Sequence, residues 1–227
     1  MIATGGTIAS KAGENGLAPA VSSNDLMAYV PEIKNICQSE SLQLFNIDST
    51  NVTPDHWLKI AEAIRERYDA YDGFVICHGT DTMAYSAAAL SYLIQNPNKP
   101  IVFTGSQKPI DREDTDARIN LRDSFLYVSS DLASGVVIVF QGKVIAGTRA
   151  KKIRTKSFNA FDSMDFPELA KIRDGKILSY IRPEKGEKTI FYDKLNRRVG
   201  MVSLTPGMRP EILDAYFQYN DAVVLSG

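Results

Sequence analysis

Two cysteines, two histidines and one tryptophan are all that the 227 residues offer of the rarer side chains. Cys37 and Cys77 have no neighbouring Cys or His with which to make a zinc pattern, and two thiols are no disulfide framework. A reducing, cytoplasmic location is the expectation. An excess of one charge is lacking too: 26 Lys and Arg face 27 Asp and Glu, a formal net charge of -1. That balance argues against a dedicated binder of nucleic acid or anionic membrane. No apolar run approaches the roughly 20 residues of a membrane span, and Thr4-Gly5-Gly6 interrupts any signal-peptide core at once. What remains is ordinary globular composition, 44% hydrophobic and 23% charged, which excludes disorder and fibres.

Short apolar runs alternate with longer amphipathic ones, the pattern of an α/β fold with a mostly parallel sheet flanked by helices. Strands are read at residues 1–3, 42–47, 73–77, 100–104 and 135–140, each continuous in its apolar character and bounded by Gly, Pro or Asp. Thr53-Pro54 signals a helix start, after which Trp57, Ile60, Ala61, Ile64 and Tyr68 hold one face. Further helices are read over 81–95 and 114–130. Residues 176–181 are a strand candidate, 182–196 a polar linker, and 197–227 a fresh strand–helix–strand. One such unit cannot bury its own faces. The domain expectation is therefore a catalytic domain over 1–181, a linker over 182–196, and the start of a second, smaller α/β domain over 197–227, truncated at its end.

Ligands of parallel sheets sit at the carboxyl ends of strands, so the loops there carry the chemistry. The first, Thr4-Gly5-Gly6-Thr7-Ile8-Ala9-Ser10, lacks the dinucleotide glycine spacing and instead presents the hydroxyls of Thr4 and Thr7. Asp48-Ser49-Thr50-Asn51 reads either as a turn into the next helix or as a polar site loop. His78-Gly79-Thr80-Asp81-Thr82 lies between a buried strand and a helix, where free N–H groups favour an anionic or carbonyl oxygen. His78 itself is expected to be packed and hydrogen-bonded rather than a metal ligand or base. Gly105-Ser106-Gln107-Lys108-Pro109 precedes Asp111, Glu113, Asp114 and Asp116, read as a solvated acidic loop because no calcium-ligand spacing is present. Residues 143–156 hold six Lys or Arg and no acid, which is either a solvated basic face or a segment with one lysine turned inward onto a hydroxyl.

Taken together, Thr4-Gly5-Gly6-Thr7-Ile8-Ala9, Asp48-Ser49-Thr50 and His78-Gly79-Thr80-Asp81-Thr82-Met83 resemble the bacterial-type L-asparaginase family, with Gly105-Ser106-Gln107 and Lys152-Ile153-Arg154-Thr155-Lys156-Ser157 in the expected order. Tyr71-Asp72-Gly73-Phe74-Val75 and the surroundings of Lys152 look like its cytoplasmic type I branch. The resemblance implies hydrolysis of L-asparagine, with L-glutamine as a second substrate, through a threonine nucleophile and an acyl-enzyme. Thr7 matches the nucleophile. Thr80, Lys152 and Asp81 match a Thr–Lys–Asp arrangement, and Asp81 also the carboxylate that holds the substrate's ammonium. Ser49 and Thr50 match groups around its α-carboxylate, and Ser106 a position that meets the amide mainly through its backbone. The resemblance further implies no cofactor and no metal, no nucleic-acid partner, and a homodimer or homotetramer.

Two departures stand out. Many members carry a lid tyrosine about ten residues after the nucleophile; here the position is Leu17, next to a stretch at 13–16 read as a flexible lid. The family also has about a hundred more residues. Two other readings share these motifs: the amidase subunit of a tRNA-dependent amidotransferase, and a non-catalytic amino-acid sensor.

Overall fold

The computed structural model of the chain describes residues 1–13 and 16–226, without the side chains of 12, 13 and 16–19. Contacts divide it into two units, Met1–Asp193 and Lys194–Gly227.

In the first unit β1 (Ile2–Gly5) is buried along its length and passes into a 3-10 turn at Thr7–Ala9. A hairpin follows, β2 (Ser10–Gly13) with β3 (Gly16–Pro19), in register from Ser10 with Pro19 to Gly13 with Gly16. The lid expected over 13–16 has its tip, residues 14 and 15, outside the described residues, as is the Leu17 side chain. α1 (Ser23–Ala28) opens on a reciprocal capping box between Ser22 and Asp25. β4 (Leu42–Ile47) leads to α2 (Pro54–Arg67), which starts at Thr53-Pro54 as its sequence requires and buries Ile60, Ala61, Ala63 and Ile64. β5 (Phe74–Cys77) and α3 (Met83–Leu93) follow, and the chain then extends into β6 (Ile94–Gln95). β7 (Ile101–Thr104), α4 (Ala117–Val128) and β8 (Val136–Phe140) complete the alternation.

The main sheet has eight strands. β4, β1, β5, β7 and β8 lie side by side and parallel. The order reverses between β1 and β5, the topological switch point where open sheets of this kind bind ligands. Alternate residues face opposite layers. Ala3, Val75, Cys77, Val102, Val137 and Val139 join Leu26, Ile33, Leu121 and Phe125 in one core. Ile76, Phe103 and Ile138 are buried on the other face, where α3 packs on β7 and β8 and against α2. Each of the Val, Leu, Ile and Phe side chains contributes roughly 1.5–3 kcal/mol.

Beyond β8 the sheet turns antiparallel. β9 (Lys143–Ala146) folds back on β8 through Gln141-Gly142, at φ 50 and 70. β10 (Ala150–Lys152) pairs with β11 (Phe161–Ser163) in a separate ribbon. β12 (Ala170–Arg173) returns beside β9 and pairs with β13 (Lys176–Ser179) across Asp174-Gly175, at φ 50 and 71. Both turns have positive φ at the two central residues, the geometry that matches strand twist in a two-residue hairpin. The basic stretch 143–156 is therefore two strands rather than one face. Within the span read as a linker, β14 (Ile190–Phe191) pairs with β6.

The second unit holds β15 (Val199–Ser203), α5 (Pro210–Tyr219) and β16 (Ala222–Ser226), a parallel strand–helix–strand in which Val199 is paired with Ala222 and Ser203 with Ser226. α5 buries none of its residues. Among the described residues no helix is long and apolar enough to cross a membrane.

Candidate active site

Three loops meet at the carboxyl ends of β1, β4 and β5. Gly6, at φ 82, lies so close to the third loop that a Cβ built on it would be 2.3 Å from the Gly79 Cα. Gly79 in turn faces Ser49, whose Cβ and Oγ would be 2.6 Å from a Gly79 Cβ. Only glycine permits either approach. Thr7, Ser49 and Thr80 are brought together by this backbone contact.

Thr4 does not belong with them. It is the third residue of β1, 2% exposed, and its hydroxyl donates to the Cys77 carbonyl at 2.9 Å. That corrects the expectation of two loop hydroxyls, because the strand runs to Gly5 before the chain turns. Thr7 begins the 3-10 turn and is half-buried. No described residue hydrogen-bonds to the hydroxyls of Thr7 or Ser49.

Thr50 behaves as a turn residue. Its N–H and its hydroxyl both donate to the Asp48 carboxylate, each at 2.8 Å. Ser49 is buried, and its carbonyl accepts from the Thr82 hydroxyl at 2.7 Å, tying the second loop to the third. Ser106 is 1% exposed and its hydroxyl donates back to the Lys108 carbonyl at 2.5 Å, which leaves its backbone as the part free to meet another group.

Lys152 reaches this cluster from the ribbon. The short ladder with β11 sets the strand alternation so that Lys151 is exposed and Lys152 is turned inward, 13% exposed at its side chain. Its ammonium donates to the Thr80 hydroxyl at 2.8 Å and to the Asp81 carboxylate at 2.6 Å. Thr80 is 5% exposed; the Asp81 side chain, at 56%, opens to solvent.

Gln107 belongs to a recognised motif, yet residue type and spacing assign it no role. Its side-chain carbonyl accepts from the Thr80 hydroxyl at 3.3 Å, and its amide donates to the carbonyls of Thr155 and Ser157, each at 3.0 Å. Its backbone N–H is held by Asp116, which also takes the Lys108 N–H at 3.1 Å and the Asn120 amide at 3.1 Å. Asp116 is thus buried and structural, not part of a solvated acidic loop. Burial raises its carboxyl above the usual range against those hydrogen bonds. Asn120 extends the frame to the Gly105 carbonyl at 2.9 Å and the Gln141 N–H at 2.8 Å.

His78 is fully buried, its Nδ1 2.7 Å from the Gly79 carbonyl and its Nε2 2.9 Å from the Ser86 hydroxyl. Desolvation lowers it from 6.5 to about 4, so the ring is neutral near pH 7. Cys77 is buried beneath the site, its thiol pushed up to about 12 by desolvation. No group of three or more His, Cys, Asp or Glu among the described residues could hold a metal ion.

Chemically, the cleft offers the hydroxyls of Thr7 and Ser49, that of Thr80 accepting from a lysine that a carboxylate anchors, and backbone N–H groups at the head of α3. Nucleophilic acyl transfer needs these parts.

Known proteins resemble this chain. Residues 1–185 match the family description "Asparaginase, N-terminal". The chain is 37% identical over 229 residues to an L-asparaginase of Thermococcus kodakarensis, covering all of this chain and 70% of that protein. It is 37% identical over 230 residues to a glutamyl-tRNA(Gln) amidotransferase subunit of Metallosphaera sedula; the match takes in 94% of this chain and 52% of that protein. A crystal structure of a probable cytoplasmic L-asparaginase from Campylobacter jejuni, 28% identical, superposes over the whole chain and 72% of its own length with a TM-score of 0.86.

Proposed function

The chain belongs to the asparaginase family, and from that premise we propose that it hydrolyses L-asparagine to L-aspartate and ammonia through an acyl-enzyme on Thr7. The observation that carries this reading is the Lys152 ammonium, 2.8 Å from the Thr80 hydroxyl and 2.6 Å from Asp81.

Thr7 attacks the side-chain amide carbon. Its proton ends on the leaving nitrogen, which departs as ammonia, and water then cleaves the ester and restores the hydroxyl. Thr80, with Lys152 held by Asp81, moves protons during these steps. N–H groups of the Gly79–Thr80 and Ser106 segments stabilise the developing oxyanion. The exposed Asp81 carboxylate holds the substrate's ammonium, and Ser49 and Thr50 lie toward its α-carboxylate; for Thr50 this requires sharing the bond it now makes to Asp48. L-Glutamine differs by one methylene and is a second substrate of the same site. Neither cofactor nor metal enters the scheme.

A cytoplasmic location and a homodimer or homotetramer belong to this reading. The Campylobacter jejuni protein, called probable cytoplasmic, supports the first. The exposed Tyr85 and Tyr92 on α3, surface that a second copy would cover, support the second.

Similarity to the amidotransferase protein supports a second reading, an amidase working within a tRNA-dependent complex. The test is ammonia release from free L-asparagine and L-glutamine by the full-length protein, with Thr7→Ala and Lys152→Met beside it. Release from asparagine that both substitutions abolish is the expected result. A folded protein that releases none from either amino acid overturns the first reading.

A further inference from the structure

We infer that His78 is a positioning residue for Thr80, held in one tautomer by a relay that begins at Trp57. The inference rests on the reading of Thr80 as a member of the reacting centre. It concerns a group that the proposed mechanism does not use.

The relay runs through three elements. The Trp57 indole of α2 is 2.9 Å from the Ser86 hydroxyl of α3, which is 2.9 Å from His78 Nε2; His78 Nδ1 is 2.7 Å from the Gly79 carbonyl. Donor and acceptor roles fix its direction from both ends. An indole N–H can only donate, and a carbonyl can only accept. Nδ1 must therefore carry the proton, Nε2 must accept, and Ser86 must give its hydrogen to the ring while receiving that of Trp57. Ser86 and His78 are both 0% exposed, so water cannot replace either partner. The lowered His78 pKa agrees with a ring that stays neutral.

Its end point is the peptide that joins Gly79 to Thr80. That unit is planar, so fixing its carbonyl fixes the direction of the Thr80 N–H. The Gly79 Cα that leads into this peptide is wedged between Gly6 and Ser49. The His78 backbone N–H meanwhile donates to the Thr104 carbonyl at 2.8 Å, so the main chain that carries the ring is anchored to the sheet and only the loop beyond it is left to be aimed. Capping explains none of this, since no side-chain cap is made at Thr82, where α3 starts.

The experiment compares His78→Leu, His78→Asn and Ser86→Ala in the full-length protein, each with its melting temperature. Asparagine brings its amide nitrogen near the position of Nδ1 and keeps the bond to Gly79; leucine loses it. The expected result is a fall in kcat per folded molecule of about tenfold or more for His78→Leu, with KM little changed and most of the loss recovered in His78→Asn. Ser86→Ala shifts the Trp57 emission, read against Trp57→Phe, and lowers kcat by a smaller factor. Equal kcat in wild type and folded His78→Leu, or no recovery in His78→Asn, overturns the inference. Should the His78 variants not fold, Ser86→Ala decides: unchanged emission and unchanged kcat overturn it. A wild-type protein without turnover is the failure of the proposed function instead, and the emission arm still reads the relay.

Discussion

Acid should destabilise this protein through His78, and by an amount that its burial sets. Unfolded, the ring takes a proton near pH 6.5; folded, with no water around it, only near pH 4. Between those values the unfolded chain binds more protons than the folded one, so stability falls as pH falls. The contribution is complete above about pH 6.5 and lost on descent to the folded value. At ~1.4 kcal/mol per pH unit, the gap between 6.5 and about 4 comes to about 3 kcal/mol. The buried carboxyls of Asp116 and Asp123, raised by desolvation, act with the opposite sign: their cost is present at neutral pH and relieved in acid. They are common to wild type and variant, so a difference removes them. Urea unfolding of wild type and His78→Asn from about pH 7.5 to about pH 4 should therefore give curves that differ in slope, wild type losing about 3 kcal/mol more. Parallel curves, or a wild type that gains stability in acid relative to the variant, would refute the argument.

Three more outcomes follow from single contacts. Gly79→Ala puts a Cβ 2.6 Å from the Ser49 side chain, so the loops must part; activity should fall about a hundredfold or more in ammonia release while the circular dichroism of the sheet is kept. Asp116→Ala leaves the N–H groups of Gln107 and Lys108 and the Asn120 amide without their acceptor, and should cost about 1–3 kcal/mol in chemical denaturation. Iodoacetamide on the native protein should label the half-buried Cys37 and spare Cys77, which is fully buried with its thiol pushed up to about 12; two adducts before unfolding would contradict that burial.

Much of the architecture is legible in the sequence because it is local. Continuous apolar runs bounded by Gly, Pro and Asp mark strands covered on both faces, and β4, β5, β7 and β8 form within a residue or so of those runs. Thr53-Pro54 begins α2 where capping requires it. The antiparallel half is less legible although its turns are present. Asp174-Gly175 is a strong hairpin signal, and β13 falls inside the strand candidate at 176–181, but β12 is short and sets Lys and Arg beside Ala and Ile, which hides the strand before the turn. The helix read over 81–95 is Met83–Leu93 in the structure, since Thr80, Asp81 and Thr82 are held in a turn by Lys152 and the Ser49 carbonyl.

The sequence by itself determined the alternating order of strands and helices, the loops that carry hydroxyls, and the glycines that let those loops approach. These follow from residue type and spacing, which act over a few positions of chain. Only the tertiary structure decided how Lys152, the one of the six basic residues in 143–156 that the resemblance names, turns inward onto Thr80, because that depends on its register opposite Phe161. It likewise decided that Gln107 and Asp116 stand behind Thr80, that Thr4 faces Cys77 instead of the cleft, and that Trp57, Ser86 and His78 form one hydrogen-bonded line. Several of those join residues far apart in the chain, and no periodicity records the direction in which a buried polar side chain finds its partner.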